Sequence, residues 1–327
     1  MRALLNRWPF RLLRYALIAL GLATLVLGGM IAWPTRQPAE LASITAGVRL
    51  VDRSDLPAGR RFVAREGTTL TYRLYEPRAA AGDRLVVLIH GSAGGSINMH
   101  AVGKGLAEAG IAAAAMDMRG HGASGTRGDI AYIGQLEHDL ADFVAHLRQT
   151  RPTARLSLVG HSAGGGFALR ATAGPTGDLF ERTVLLAPFL GPFAPSSRPA
   201  SGGWAAPDIP RIVALTILRR LGIDCCEGLP VIVFALPPEA IKFATTRYSY
   251  RLLANFATRD HRADLAAARR PVAIVSGTAD ELMDSARYGE TVDGTGRDVP
   301  VTLVPGVDHM GILADPKAIA AIVEALK

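Results

Sequence analysis

The 327-residue sequence predicts an α/β fold: a mostly parallel, doubly wound sheet with an inserted cap, preceded by one N-terminal transmembrane helix. Three observations carry this. From residue 60 onward, short apolar runs of the kind buried on both faces of a parallel sheet alternate with helix-length amphipathic stretches. More than eighty residues, 188–270, separate two successive runs, where a crossover normally needs far fewer. Near the N-terminus, the nineteen residues 15–33 carry no charge.

That uncharged segment, YALIALGLATLVLGGMIAW, would span about 28 Å as a helix, close to the hydrocarbon thickness of a bilayer. It is longer than the core of a signal peptide and apolar all the way round, which favours an anchor; small residues near Met30 keep a cleaved signal as the alternative. Arg2, Arg7, Arg11 and Arg14 precede it without an acidic residue, and Arg36, Glu40, Arg49 and Asp52 follow with mixed charge. The positive-inside rule then gives a basic cytoplasmic tail (1–14), a transmembrane anchor (15–33), a linker (34–47) and a domain (48–327) on the outer side, periplasmic in a bacterium. Pro34 and Pro38 end the helix.

The formal charge of +7 resides largely in this segment. Without the five arginines of residues 1–36, the rest holds 31 basic against 29 acidic residues, which excludes a nucleic-acid partner. The two cysteines, Cys225 and Cys226, are adjacent and give neither a disulfide framework nor zinc-ligand spacing. Expected metals and cofactors are none.

Within the domain, 60–66 and 68–77 read as two strands around a Glu66-Gly67 turn. Apolar strands follow at 84–90, 111–116, 156–159, 183–186, 271–276 and 299–304, and 132–150 has helical spacing of Ile133, Leu136, Leu140, Phe143, Val144 and Leu147. The long gap reads as a cap over about 188–257. Its segments 209–221 and 229–236 are strongly apolar, suited either to an acyl chain or bilayer contact, or simply to packing on the sheet.

The chemistry sits where strands end. LVGHSAGGG (158–166) runs from a strand through GxSxG into a helix, the context of a nucleophile elbow at Ser162. Gly160 and Gly164 leave room on either side of that sharp turn. A second glycine turn, HGSAGGS (90–96), follows an earlier buried strand and brings a backbone N–H toward the same place. It lacks the GK[ST] ending of a phosphate cradle. The backbone amides of Ser92 and Ala163 are the expected oxyanion donors. A serine hydroxyl needs a base held in one tautomer by an acid. His309, in a loop past the last strand, is the expected base, with His121 in DMRGHGASG (117–125) as competitor. Asp280 is the expected acid, with Asp284 as fallback.

The motifs HGSAGGS, DMRGHGASG, GHSAGG, GTADELMD (277–284) and DHMG (308–311), in that order, resemble the α/β-hydrolase superfamily, in its monoacylglycerol-lipase-like or serine-aminopeptidase-like branch with lysophospholipase-type members. The resemblance covers about residues 60–327. It implies Ser162 as nucleophile, Asp280 as acid, His309 as base, the amides of Ser92 and Ala163 as oxyanion hole, and a structural His121. The expected function is a membrane-tethered serine hydrolase of carboxylic esters, acting on a small-molecule or lipid ester of monoacylglycerol or lysophospholipid type. An acyltransferase with the same triad and a non-catalytic binding module are the competing classes.

Overall fold

The computed structural model describes residues 8–50, 52–78, 82–238, 240, 244–256, 258 and 260–327. Its centre is an eight-stranded sheet in the order β1-β2-β4-β3-β5-β6-β10-β11. The expected hairpin is present, β1 (Arg60–Val63) pairing antiparallel with β2 (Thr69–Tyr75). β2 also runs antiparallel to β4 (Ala112–Met116), and every later pairing is parallel: β3 (Arg84–Ile89), β5 (Arg155–His161), β6 (Arg182–Leu186), β10 (Val272–Gly277) and β11 (Val301–Val304). This is the α/β-hydrolase fold. β4 and β10 are buried at every position, as their uninterrupted apolar sequences require.

Helices cover both faces. One face packs Val102 and Leu106 of α3 (His100–Glu108) and Ile322 of α10 (Pro316–Ala325) against Val86, Leu88 and Val159. The other packs Leu136, Leu140 and Phe143 of α4 (Gln135–Thr150) and Phe167 of α5 (Ala163–Ala173) against Leu85, Val87 and Leu158. The chain leaves β3 toward β4 on one side and returns to β5 on the other, so the crevice past the carboxyl ends of β3 and β5 is the switch point where such sheets bind ligands.

Between β6 and β10 lies an antiparallel three-stranded sheet, β7 (Ala205–Pro207), β8 (Pro230–Phe234) and β9 (Arg247–Ser249), with α6 (Ile209–Arg220), α7 (Tyr250–Phe256) and α8 (His261–Ala267). Asp208 caps α6 by accepting the Arg211 amide at 3.1 Å. A short α9 (Tyr288–Val292) precedes β11. Cys225 and Cys226 are exposed free thiols.

The N-terminal helix α1 runs Trp8–Ala32, starting earlier than the apolar segment and ending one residue before Trp33. Residues 1–7, with Arg2 and Arg7, lie outside the described residues. The stretch Phe10–Ala32 is long and apolar enough to cross a membrane, and none of its most apolar window is buried in the protein. Its end is tied to the cap. Arg211 of α6 donates Nε to the Ile31 carbonyl at 2.7 Å, Nη1 to Pro230 at 2.6 Å, and Nη2 to Trp33. Ile31 also packs with Leu215, Val231 and Tyr250.

The segment 34–47, expected as a plain linker, instead enters a helix, α2 (Ala42–Leu50). The Leu41 amide donates to the Ala235 carbonyl at 3.0 Å, Ile44 is buried, and Gly47 packs against Met310. Docking of Ile44 supplies the tertiary contact that a nine-residue helix needs, because isolated helices of that length are marginal in water.

Candidate active site

Ser162 sits between β5 and α5 with φ 53° and ψ −122°, a left-handed conformation that a side-chain-bearing residue adopts only when its surroundings enforce it. They do so by hydrogen bonding. The Ser162 amide donates to the Leu186 carbonyl at 2.9 Å, and its carbonyl accepts from Gly165 and Phe189, both at 2.9 Å. The flanking glycines are needed because a Cβ on Gly160 would lie 2.3 Å from the Gly164 carbonyl oxygen, and one on Gly164 would lie 2.2 Å from that of His90.

His309 and Asp280 are both buried and joined, with Nδ1 to Oδ2 at 2.9 Å. Asp280 Oδ1 accepts the amides of Leu282 and Met283 at 2.9 and 2.8 Å, so the carboxylate is held by three donors. Its oxygen on the His309 side fixes the proton on Nδ1 and leaves Nε2 as the lone-pair nitrogen. Asp284, the fallback acid, lies at a different place: its amide donates to Ser196 and it precedes a short turn of helix. Ser162 and His309 line one cavity of about 520 Å³, without a hydrogen bond of 3.5 Å or less between their side chains among the described residues.

Ser92 lines the same cavity, and Ala163 lines a slot of about 60 Å³ that also touches Ser162 and Ser92. The glycine loop carrying Ser92 is held by the cap. Trp204 donates Nε1–H to Ser92 Oγ at 2.9 Å, and the neighbouring Ala93 amide donates to Tyr248 Oη at 2.9 Å. Tyr248 in turn donates to His121 Nε2 at 2.6 Å, and His121 Nδ1 donates to the Arg119 carbonyl at 3.2 Å. Burial pushes the Tyr248 phenol upward and the His121 imidazole well downward, so the tyrosine keeps its proton and the histidine stays neutral. His121 therefore serves as a loop lock. Tyr248 and Trp204 carry no motif. Their one signal in the sequence is chemical, since a buried aromatic with a polar tip usually has a partner for it.

A family model described as "Serine aminopeptidase, S33" matches residues 80–317. The chain belongs to this family. Serine aminopeptidase-family membership and the fold make it a serine-hydrolase-type enzyme, as the motifs imply. No curated protein matches the sequence. Among solved structures, a membrane phospholipase A described as a bacterial virulence factor is similar at 17% identity and TM-score 0.60, with 97% of each chain covered. A soluble variant of monoglyceride lipase from Saccharomyces cerevisiae with a bound substrate analogue has 16% identity and TM-score 0.61, covering 83% of this chain and 93% of that one. The monoacylglycerol lipase of Paleococcus ferrophilus has 22% identity and TM-score 0.57, covering 79% and 98%. At these identities the likeness is one of fold.

Three of the buried histidines, His90, His121 and His161, are expected to make the core of this family member acid-sensitive. His161 donates Nε2–H to the His309 carbonyl at 3.2 Å; His90 donates from Nδ1 to the Gly91 carbonyl at 2.7 Å and accepts the Met118 amide at Nε2. Burial lowers all three, His121 and His161 well below the ordinary range. A folded-state pKa below the unfolded one means that stability is full above the unfolded value and is lost as pH falls through it. With an unfolded value of about 6.5, His121 and His161 should together cost about 2–3 kcal/mol between pH 7 and 5.5. His90 adds in the same direction, and the raised carboxyls of Asp139 and Asp264 act in the opposite sense as they protonate. Urea unfolding across this range measures the effect; a flat profile contradicts it.

Proposed function

We propose that the protein is a membrane-tethered serine hydrolase of lipid esters. The observation that carries the reading is one largely apolar cavity lined by a strained Ser162, by the cap-held Ser92 loop and by His309, which the buried Asp280 holds from behind. Ser162 Oγ attacks the acyl carbon while His309 Nε2 takes its proton. The amides of Ser92 and Ala163 stabilise the oxyanion, and Asp280 stabilises the imidazolium. His309 then protonates the departing alcohol, and water, deprotonated by His309, releases the acyl group from Ser162. No metal or cofactor takes part in this scheme.

The tether reading rests on α1 and its surroundings. Coverage of 97% of the chain in the likeness to the membrane phospholipase A cannot leave out a 25-residue helix. The cap helix α6, pinned to the end of α1 by Arg211, exposes Ile209, Val213 and Ile217 at four-residue spacing, followed by exposed Leu221 and Ile223. This is an apolar face at the level where α1 would leave a bilayer, next to Arg219 and Arg220. The arginines preceding the span put the N-terminus in the cytoplasm and the domain outside.

Treatment of the full-length protein with a fluorophosphonate probe should label one peptide, the one containing Ser162, and Ser162→Ala should abolish both labelling and turnover of a p-nitrophenyl ester. Labelling retained by the folded variant, or none in the folded wild type, overturns the reading. Free fatty acid as product, rather than a new ester in the presence of an alcohol, distinguishes hydrolysis from acyl transfer.

A further inference from the structure

We propose that the helix joining the membrane span to the domain, α2, is a working wall of the ester cavity, with Ile44 as a specificity-determining residue along which the acyl chain of the substrate lies. The inference deepens the esterase reading above and rests on it.

Ser162 lines two spaces of very different size. The slot of about 60 Å³, walled by Phe234 and Phe256, holds no more than a short apolar group. A long chain therefore has one place to go, the cavity of about 520 Å³, a size that accommodates whole small-molecule ligands. The large apolar side chains of its lining are Trp204 and Leu236 of the cap, Leu282 near the acid, Met310 beside the base, and Ile44. The first four fall within residues 80–317, the stretch that the family model matches. Ile44 does not. It is an addition to the family's domain, supplied by the segment that leads to the membrane span.

The way α2 is seated explains how this residue reaches the site. Leu41, Ile44 and Gly47 follow at three-residue spacing and turn toward the domain, while Ala42, Ser43 and Ala46 are exposed. Ahead of the helix, Gln37 donates Nε2–H to the Phe234 carbonyl at 3.5 Å and the Leu41 amide donates to the Ala235 carbonyl at 3.0 Å, which ties the segment to the cap chain just before Leu236. Farther along, the Gly47 backbone approaches Met310 so closely that a Cβ on it would lie 2.7 Å from Met310 Cβ. Ile44 is buried between these two seats and packs in one cluster with Trp204, Leu236, Leu282 and Met310. The segment is also fixed at its start, where Arg211 of the cap donates to the carbonyls of Ile31 and Trp33. From the end of the span to the wall of the cavity the chain is thus held at successive points by the domain it tethers. Contact with Ile44 removes methylenes of the substrate from water, which is where a long ester gains over a short one.

The test uses full-length protein in non-ionic detergent micelles. A fluorophosphonate bearing a long alkyl chain with a photoreactive diazirine in it is first attached to Ser162, and irradiation should then join the chain to the peptide that contains Ile44. In kinetics with p-nitrophenyl acetate and a long-chain p-nitrophenyl ester, Ile44→Ala should lower the long-to-short ratio of kcat/KM by about five- to thirtyfold, chiefly through KM. Ile44→Leu should keep most of the ratio. Gly47→Ala, which retains the isoleucine but pushes its helix off Met310, should lower the same ratio. A chain crosslinked elsewhere and not to α2, or an unchanged ratio in Ile44→Ala, overturns the proposal; an equal fall on both esters assigns Ile44 a structural role and overturns it too. Absence of labelling at Ser162 in the folded wild type, with no turnover of either ester, removes the esterase reading itself.

Discussion

Asp280→Asn is expected to lower kcat for ester turnover by about 10³–10⁴-fold while leaving stability close to that of the wild type. The reason lies in how the carboxylate is held. Oδ1 accepts two backbone amides, from Leu282 and Met283, and an asparagine carbonyl oxygen can accept the same two. The asparagine NH₂ would then stand where Oδ2 now accepts from His309 Nδ1. A donor at that position forces the proton of the imidazole onto Nε2, the nitrogen that receives the Ser162 proton in the proposed mechanism. The fold keeps its hydrogen bonds and the base is lost. Thermal unfolding and steady-state kinetics on the same preparation check both halves; a kcat within tenfold of wild type removes Asp280 from the proposed mechanism.

Gly164→Ala should destabilise the protein by about 3 kcal/mol or more. The added methyl would stand 2.2 Å from the His90 carbonyl oxygen and 2.9 Å from Ile89 Cγ2. Neither side can yield easily. His90 is clamped by its bonds to the Gly91 carbonyl and the Met118 amide, Ile89 is fully buried, and α5 is held at its start by the Gly165 and Gly166 amides on the Ser162 carbonyl. The relief available is a shift of the elbow itself, which would displace Ser162 from its strained position. Urea unfolding should show the loss, and the folded fraction should label poorly with a fluorophosphonate. A variant with wild-type stability would mean that the elbow is more plastic than its contacts imply.

The central sheet was legible because a strand buried on both faces has no freedom in its composition: runs such as 112–116 or 272–276 admit almost nothing but apolar residues. The candidate site was legible for a related reason. Close backbone approach around Ser162 demands glycine, and the chemistry demands serine, histidine and aspartate past strand ends. What could not be read is what tertiary contact alone decides. The strands β7 and β9 have three residues each, too short to show a period. Helix α2 carries no cap motif and owes its place to Ile44 docking on the domain, so 34–47 read as linker. Trp204 and Tyr248 act through hydrogen bonds to residues 112 and 155 positions away. None of these leaves a local pattern.

The bonds from Trp204 and Tyr248 to the loop at Ser92 and Ala93 bear on how such an enzyme can change over evolution or in the hands of an engineer. Insertions between strands are commonly regarded as exchangeable parts that alter specificity while the chemistry beneath is conserved. Here the exchange would be incomplete. A transplanted cap without an indole over Ser92 and a phenol beneath Ala93 would arrive with a new specificity and a loosened loop at Ser92 and Ala93. His121, left without its partner, would be an orphan in the interior. Changes of substrate preference are therefore more accessible through side chains lining the cavity than through recombination of whole caps, and a successful chimera would need the Trp204–Ser92 and Tyr248–Ala93 pairs carried across as a set.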